Sequence, residues 1–324
     1  MSVFVHAGTT GPVHPSTGGY ITRFGQNFLE TPGVNKVCRQ GLWVGVLAVA
    51  GILAAGCGTV NRMAATSVGN LLGALREQPD PQLARDGAPA YLLAIDSLIA
   101  GDPENPDLLR AGCTAYATYA SAFLSGEADA VRAARLQGRA KEYGQRLLRL
   151  HAAYARAEQA PVPEFEAALA RFDRGDVPDL YAAGSAWLGW IIAKNDSMEA
   201  MAELPRALAV MQRSLALDEG HADGGAHLVF AVYYAIQPPG AGQDLARSRR
   251  HFERAMELGG GQNLLPRVLF AEFYARAAVD PDLFTRTLQG VLDAPETEPP
   301  PLRLTNAIAR ERAARLLQQK DDLF

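Results

Sequence analysis

The spacing of apolar residues constrains this 324-residue chain more than any other feature. Beyond residue 57 they recur three and four positions apart, and no run alternates strictly at the two-residue period of a half-buried strand. That pattern implies an all-α fold. Leu92, Ile95, Leu98 and Ile99 make one stripe, in a helix expected to begin near Pro89 because proline suits a first helical turn. Asp102-Pro103-Glu104-Asn105-Pro106 breaks it, and the next helix is expected over 107–123. Further helices are expected over 129–156, 179–194, 198–217, 222–236, 244–258, 264–278, 281–293 and 302–320. Their boundaries carry Gly175-Asp176-Val177-Pro178, Pro238-Pro239-Gly240, Gly259-Gly260-Gly261 and Pro299-Pro300-Pro301. Abundant alanine favours helix and lets neighbouring helices come close.

A faint repeat runs through these helices. Leu98-Ile99-Ala100-Gly101-Asp102-Pro103 and Ser214-Leu215-Ala216-Leu217-Asp218-Glu219 share a helix end that turns into an acidic loop. Phe252-Glu253-Arg254-Ala255-Met256-Glu257-Leu258 is a third copy, with an aromatic residue three before an alanine. Ser214 and Ala255 stand 41 residues apart, against the roughly 34 of a tetratricopeptide repeat, so the copies are degenerate. The expected architecture is a tetratricopeptide-like helical repeat bundle of the α-solenoid type, with a generic helical bundle as the alternative. Stacked helix pairs bury a continuous core and leave a concave face suited to partners.

Residues 41–56, GLWVGVLAVAGILAAG, form an uncharged apolar run behind Lys36 and Arg39, the order of a secretory signal. The run is shorter than the roughly 18–20 residues that comfortably span a bilayer. Leu53-Ala54-Ala55-Gly56-Cys57 resembles the lipobox of bacterial lipoproteins, which makes Cys57 the expected lipidated residue; Ala54 departs from the leucine more usual there. Several acyl chains on one cysteine would anchor the chain firmly. Gly58 in place of aspartate favours the outer membrane, by the same resemblance. The organisation expected is therefore an upstream segment 1–33 from a mis-assigned start, a signal peptide 34–56, and a single helical domain 57–324.

Charge and cysteine content narrow the function classes. Lys and Arg number 31 against 35 Asp and Glu, a net charge of −4; residues 1–56 hold Arg23, Lys36 and Arg39 against Glu30 alone. A mildly acidic body lacks the basic face that nucleic acid requires. Cys38, Cys57 and Cys113 are too few and too far apart for a disulfide framework or a CxxC motif, and Cys113 reads as a packed core thiol. His151, His221, His227 and His251 show no metal-ligand spacing, and His221 and His227 are six apart. No GxSxG, GxxxxGK[ST] or strand-borne GxGxxG is present. Asp102 with Glu104, and Asp218 with Glu219, sit in expected turns and read as solvated. No catalytic residue and no cofactor is expected.

Aromatic residues offer the remaining candidates. Trp187, Trp190 and Ile191 share one helical face, as do Tyr116, Tyr119 and Phe123; Phe230 with Tyr233 and Tyr234, and Phe270 with Phe273 and Tyr274, form further clusters. They either pack between helices or line an apolar cleft or pore. Tyr116, Tyr119, Trp187, Trp190, Tyr233 and Tyr234 are the candidate lining residues.

Several stretches read together resemble the T-component family associated with TRAP-type transporters, called TatT. They are Gly138-Arg139-Ala140-Lys141-Glu142-Tyr143-Gly144, Ala186-Trp187-Leu188-Gly189-Trp190, Glu203-Leu204-Pro205, and Gly259-Gly260-Gly261 after Glu257-Leu258. Leu304-Thr305-Asn306-Ala307-Ile308-Ala309 and the closing Asp321-Asp322-Leu323-Phe324 complete the set. The resemblance implies a periplasmic lipoprotein of cryptic tetratricopeptide-like helix pairs that self-associates as a trimer and binds a TRAP solute-binding protein. It further implies a pore or cleft that passes a small hydrophobic or carboxylate solute. An envelope-assembly adaptor that grips a peptide or a secretion-system subunit is the competing expectation.

Overall fold

In the computed structural model the described residues are 70, 72–124 and 126–324, all within one unit spanning Thr59–Phe324. The expected upstream segment 1–33, signal peptide 34–56 and lipidation residue Cys57 lie outside the described residues. Among the described residues every regular element is helical. The long helices are α1 (Pro81–Gly101), α2 (Pro106–Phe123), α3 (Ala130–Arg149), α6 (Val177–Ala193), α7 (Met198–Leu217), α8 (His221–Ile236), α9 (Leu245–Leu258), α11 (Pro281–Leu292) and α12 (Arg303–Gln318). Shorter ones are α4 (Ala152–Ala157), α5 (Val162–Leu169), α10 (Leu265–Leu269) and α13 (Lys320–Leu323). No described helix is long and apolar enough to cross a membrane.

Helix starts follow local chemistry. Asp80-Pro81, Asn105-Pro106 and Asp280-Pro281 begin three helices the same way. The acidic or amide side chain accepts from backbone N–H groups of the first turn, and the proline occupies a position whose N–H would be free anyway. Ser197 and Asp244 cap α7 and α9 by the same bond. The cap at Asp80 overturns the expected start at Pro89. Asp80 accepts from Gln82 and Leu83 at 2.9 and 3.2 Å, so Pro89 lies inside α1 and deletes one of its backbone bonds.

Four further boundaries differ from the expected ones. The helix expected over 129–156 breaks at Leu150-His151, where the His151 ring stacks on Phe172 at 4.0 Å. Helix α5 lies between the segments 129–156 and 179–194, where no helix is expected; Pro163 is in its first turn. Within 264–278, residues Phe270–Ala275 form a π-helical turn, whose wider winding no apolar spacing reveals. At the start of α8, Ala222, Asp223 and Gly224 are left-handed, with φ of 51°, 55° and 77°, so the right-handed helix begins after them.

Neighbouring helices share their cores. One cluster joins α1, α2 and α3 around Ile95, Leu109, Cys113 and Tyr143; a second joins α3–α8 around Tyr154, Phe165, Leu180 and Met211. A third holds α10–α12 around Phe284 and Leu288, and a small one places Phe252 and Phe270 between α9 and the π turn. Helices α3 and α6 pack extensively although α4 and α5 intervene in sequence. Their backbones nearly touch at Gly144, where an added Cβ would lie 2.8 Å from Ala183 Cα. Cys113 is fully buried beside this contact, its thiol donating to Ala182 O at 3.3 Å, and burial pushes its pKa up to about 12. At the far end α12 comes back against α1.

The three repeat-like stretches all end helices. Asp102 caps α1, Asp218 caps α7 and Gly259 caps α9.

Candidate functional site

Stretches distant in sequence meet beside α3. Lys141 projects from α3 and its Nζ lies 2.5 Å from Glu203 Oε2 on α7. The same oxygen accepts from Trp187 Nε1 of α6 at 2.5 Å. The ammonium also sits 3.5 Å from the centre of the Trp190 ring and 5.8 Å from that of Trp187. Lys141 keeps 13% of its side chain exposed, so the charge is held by one carboxylate and two indole faces rather than by water. Gly138, one turn earlier on α3, faces the same indole, which an added Cβ would meet at 3.5 Å, an ordinary contact.

Beside Gly138, and four residues before Lys141 on the same face of α3, Gln137 is 4% exposed. Its Nε2 donates to Ser121 Oγ at 3.0 Å and to Ala117 O at 3.3 Å, while its Oε1 faces Gly189 without a donor. Ser121 in turn lines a cavity of about 390 Å³ at the C-terminal end of α2. The opposite wall is Glu272 of the π turn with Ile308, Arg312, Arg315 and Leu316 of α12. Glu272 and Arg312 form an ion pair at 2.6 Å across this wall. Apolar Phe123, Ile308 and Leu316 alternate with charge, so the cleft suits an amphipathic occupant.

A second junction pins the end of the chain. Asn306 of α12 is 1% exposed; it accepts from Leu264 N at 3.0 Å and donates to Gln262 O at 2.9 Å, which holds the loop after Gly259–Gly261. Phe324 closes edge-on against Phe284 at 5.2 Å.

The six aromatic candidates divide among four places. Trp187 is buried and Trp190 half-buried, both in the lysine layer. Tyr116 is buried and donates to Asp96 at 2.8 Å, next to Tyr143, whose hydroxyl reaches the other oxygen of Asp96 at 2.5 Å. Burial first, then Asp96, pushes the Tyr116 pKa up to about 12. Tyr119 packs its ring on Phe123 at 5.5 Å, close to the cleft lining. Tyr233 and Tyr234 lie on α8, edge to face at 5.2 Å, and Tyr234 stacks on His251. The structure therefore keeps Trp187 with Trp190 and Tyr233 with Tyr234, but gives Tyr116 and Tyr119 different partners and does not bring the six to one cleft. Lys141, Glu203, Gln137 and the Glu272–Arg312 pair are absent from the candidates drawn from sequence, which followed aromatic spacing. A lysine at helical spacing before a glycine and tyrosine carries no sign that its partner lies on α7.

A family model described as TRAP transporter T-component matches residues 77–324. No curated protein matches the chain.

Proposed function

We propose, from the premise that this chain belongs to the TRAP transporter T-component family, that it is a non-catalytic periplasmic scaffold of such a transporter. In this reading Cys57 carries the lipid that ties it to a membrane, with the outer membrane favoured. The body is tetratricopeptide-like, associates as a trimer and docks the transporter's solute-binding protein, so as to aid uptake of a small hydrophobic or carboxylate solute.

The match over 77–324, nearly the whole described body, is the observation that carries the reading. The mixed apolar and charged cleft between α2 and α12 supports it, because such a wall accommodates a solute with both characters. The convergence of Lys141, Trp187, Trp190 and Glu203 adds weight, since three of the stretches that carry the resemblance meet in that layer.

Light scattering on a size column, with the protein alone and with a TRAP solute-binding protein from the same cells, tests the proposal. A homotrimer that shifts to a larger complex is the expected result. A monomer that ignores that protein would overturn it and favour the envelope-assembly adaptor. Membrane fractionation with Cys57→Ser tests the anchor: the variant should leave the membrane fraction.

A further inference from the structure

Ten large apolar side chains stand exposed among the described residues, and six of them gather at one end of the helical bundle. Contacts between helices fix which ends coincide. Helices α2 and α6 run parallel, since Arg110 meets Asp179 and Cys113 meets Ala182, near both N-termini. Helix α3 runs against them: Arg132 lies over the Tyr119 ring, and Gly138 and Gly144 face Trp190 and Ala183. Helix α1 is antiparallel to α2, with Asp96 beside Tyr116 and Ile99 beside Gly112. Helix α7 returns along α6, where Glu203 meets Trp187 and Met211 meets Gly184. Helix α8 starts where α6 starts, at the contact of Gly225 with Tyr181. The first turns of α1, α3 and α7 and the last turns of α6 and α8 therefore share one end.

That end carries Leu83, Val131, Ile192, Met198, Met201 and Ile236, with Met198 85% and Val131 75% exposed. At the opposite end Leu108 and Val177 are buried and Leu217 and Leu258 half-buried, leaving Leu150 of α3 exposed. A lone exposed leucine needs no explanation, but apolar side chains gathered from five helices mark a contact surface.

The path of the chain says what covers it. Leu72 and Leu75, just ahead of α1, already pack on the first cluster. Asn70 follows Cys57 by 13 positions, so even a fully extended chain holds this end within about 45 Å of whatever anchors Cys57. Charge around the patch is mixed: Arg132 and Lys194 stand with Asp129, Asp196 and Glu199. Without a basic excess the surface does not select anionic headgroups, and its apolar side chains suit the acyl boundary itself. Trp190, two residues before Ile192, is half-buried with Lys194 5.6 Å from its ring, and tryptophan is a residue type favoured at that boundary. We propose that this end of the bundle rests on a lipid surface, its apolar side chains entering the outer acyl region of the bilayer that holds the chain. The inference rests on the anchor reading only in needing the chain held upstream of Asn70, which the apolar run 41–56 would do as well as a lipid on Cys57.

Methionine-methyl NMR of the full chain in phosphatidylcholine nanodiscs tests it, with doxyl-labelled lipid and a water-soluble gadolinium chelate as opposed probes. Met198 and Met201 should broaden with the labelled lipid and be shielded from the chelate, while Met256, at the opposite end with Leu258, should not respond to the lipid. Val131→Asp combined with Ile192→Asp should cut the lipid broadening at Met198 at least about twofold, since a carboxylate resists the acyl region. Both positions are exposed, so the double variant keeps its fold. Met198 and Met201 open to the chelate on the disc would overturn the proposal. So would shielding from both probes, which means that a second copy or a partner protein covers the end, or a double variant that broadens like the parent. A Cys57→Ser chain that stays in the membrane fraction strikes the lipid anchor alone and leaves this measurement standing.

Discussion

Lys141 carries its charge in a place where water reaches little of it, so its partners decide what the position tolerates. The ammonium has one carboxylate, Glu203, and two indole faces. Removing the partner of a buried charge is worse than never having had the pair, because the surviving ion keeps its desolvation penalty. Glu203→Ala should therefore lower stability by about 2–3 kcal/mol, below the full buried-pair range because Glu203 remains partly exposed. Glu203→Gln keeps an acceptor for Trp187 Nε1 while removing the charge, and should fall between Ala and the parent. Urea midpoints at constant slope measure both, and an Ala variant as stable as the parent would remove the network from consideration. His251 makes the opposite kind of statement. Burial first, then the charges of His227, Arg250 and Arg247, depress its pKa from 6.5 to about 4, so the folded state binds fewer protons than the unfolded chain in that interval. The stability it contributes is present above pH about 6.5 and is lost as pH falls through about 4. His251→Gln should show a smaller loss of thermal stability than the parent between pH 7 and pH 4.5. Neither environment was legible in sequence. Lys141 and Glu203 are 62 positions apart, and His227 and His251 are 24 apart on different helices, so only the fold makes them neighbours.

At the scale of elements, the spacing of apolar residues is enough to identify nearly every long helix, because each buries one face against a neighbour. Leu92, Ile95 and Ile99 are all in the core, as the stripe requires. What the pattern misses are places where backbone geometry changes without a change in composition. Left-handed Ala222 is the best helix former by type and sits where the spacing reads as helix, and the π turn at Phe270–Ala275 keeps its apolar residues while shifting their phase. A proline also misleads: Pro89, expected to open a helix, lies within one that begins at Pro81. Two glycines of α3 turn the packing of α3 on α6 into a measurement. At Gly144 a methyl group would sit 2.8 Å from Ala183 Cα, a backbone atom that cannot rotate away. Gly144→Ala should thus destabilise by about 1–2 kcal/mol, overpacking outweighing the gain in helix propensity. At Gly138 the same methyl would meet Trp190 at 3.5 Å, an ordinary contact, so Gly138→Ala should be neutral or stabilise by up to about 1 kcal/mol. Chemical denaturation of the two variants side by side checks the contrast. Equal effects would mean that the helices can separate at Gly144.

For the molecule as a whole, the question is how far a local loss travels. The apolar clusters follow one another along the chain, each shared by neighbouring helices, which on its own would let one end loosen while the other holds. Against that stands the return of α12 onto α1, which ties the last cluster to the first; the cleft lies between the end of α2 and α12. Leu316 tests which description governs. It belongs to the last cluster, is buried, and also lines the cleft. Truncation to alanine should cost about 2–4 kcal/mol, the range for a buried leucine whose surroundings relax only in part. If the ends are coupled, amide hydrogen exchange in Leu316→Ala will speed up in α11 and α12 and also in α1, while the middle helices α6 and α7 change least. We expect this pattern, because α1 loses its contact when α12 opens, whereas the second cluster keeps Tyr154, Phe165 and Met211 fully buried among its own helices. Faster exchange confined to α10–α13 would instead mean that α12 rests on α1 without support passing between them. The α2 and α12 walls of the cleft would then be supported independently of each other.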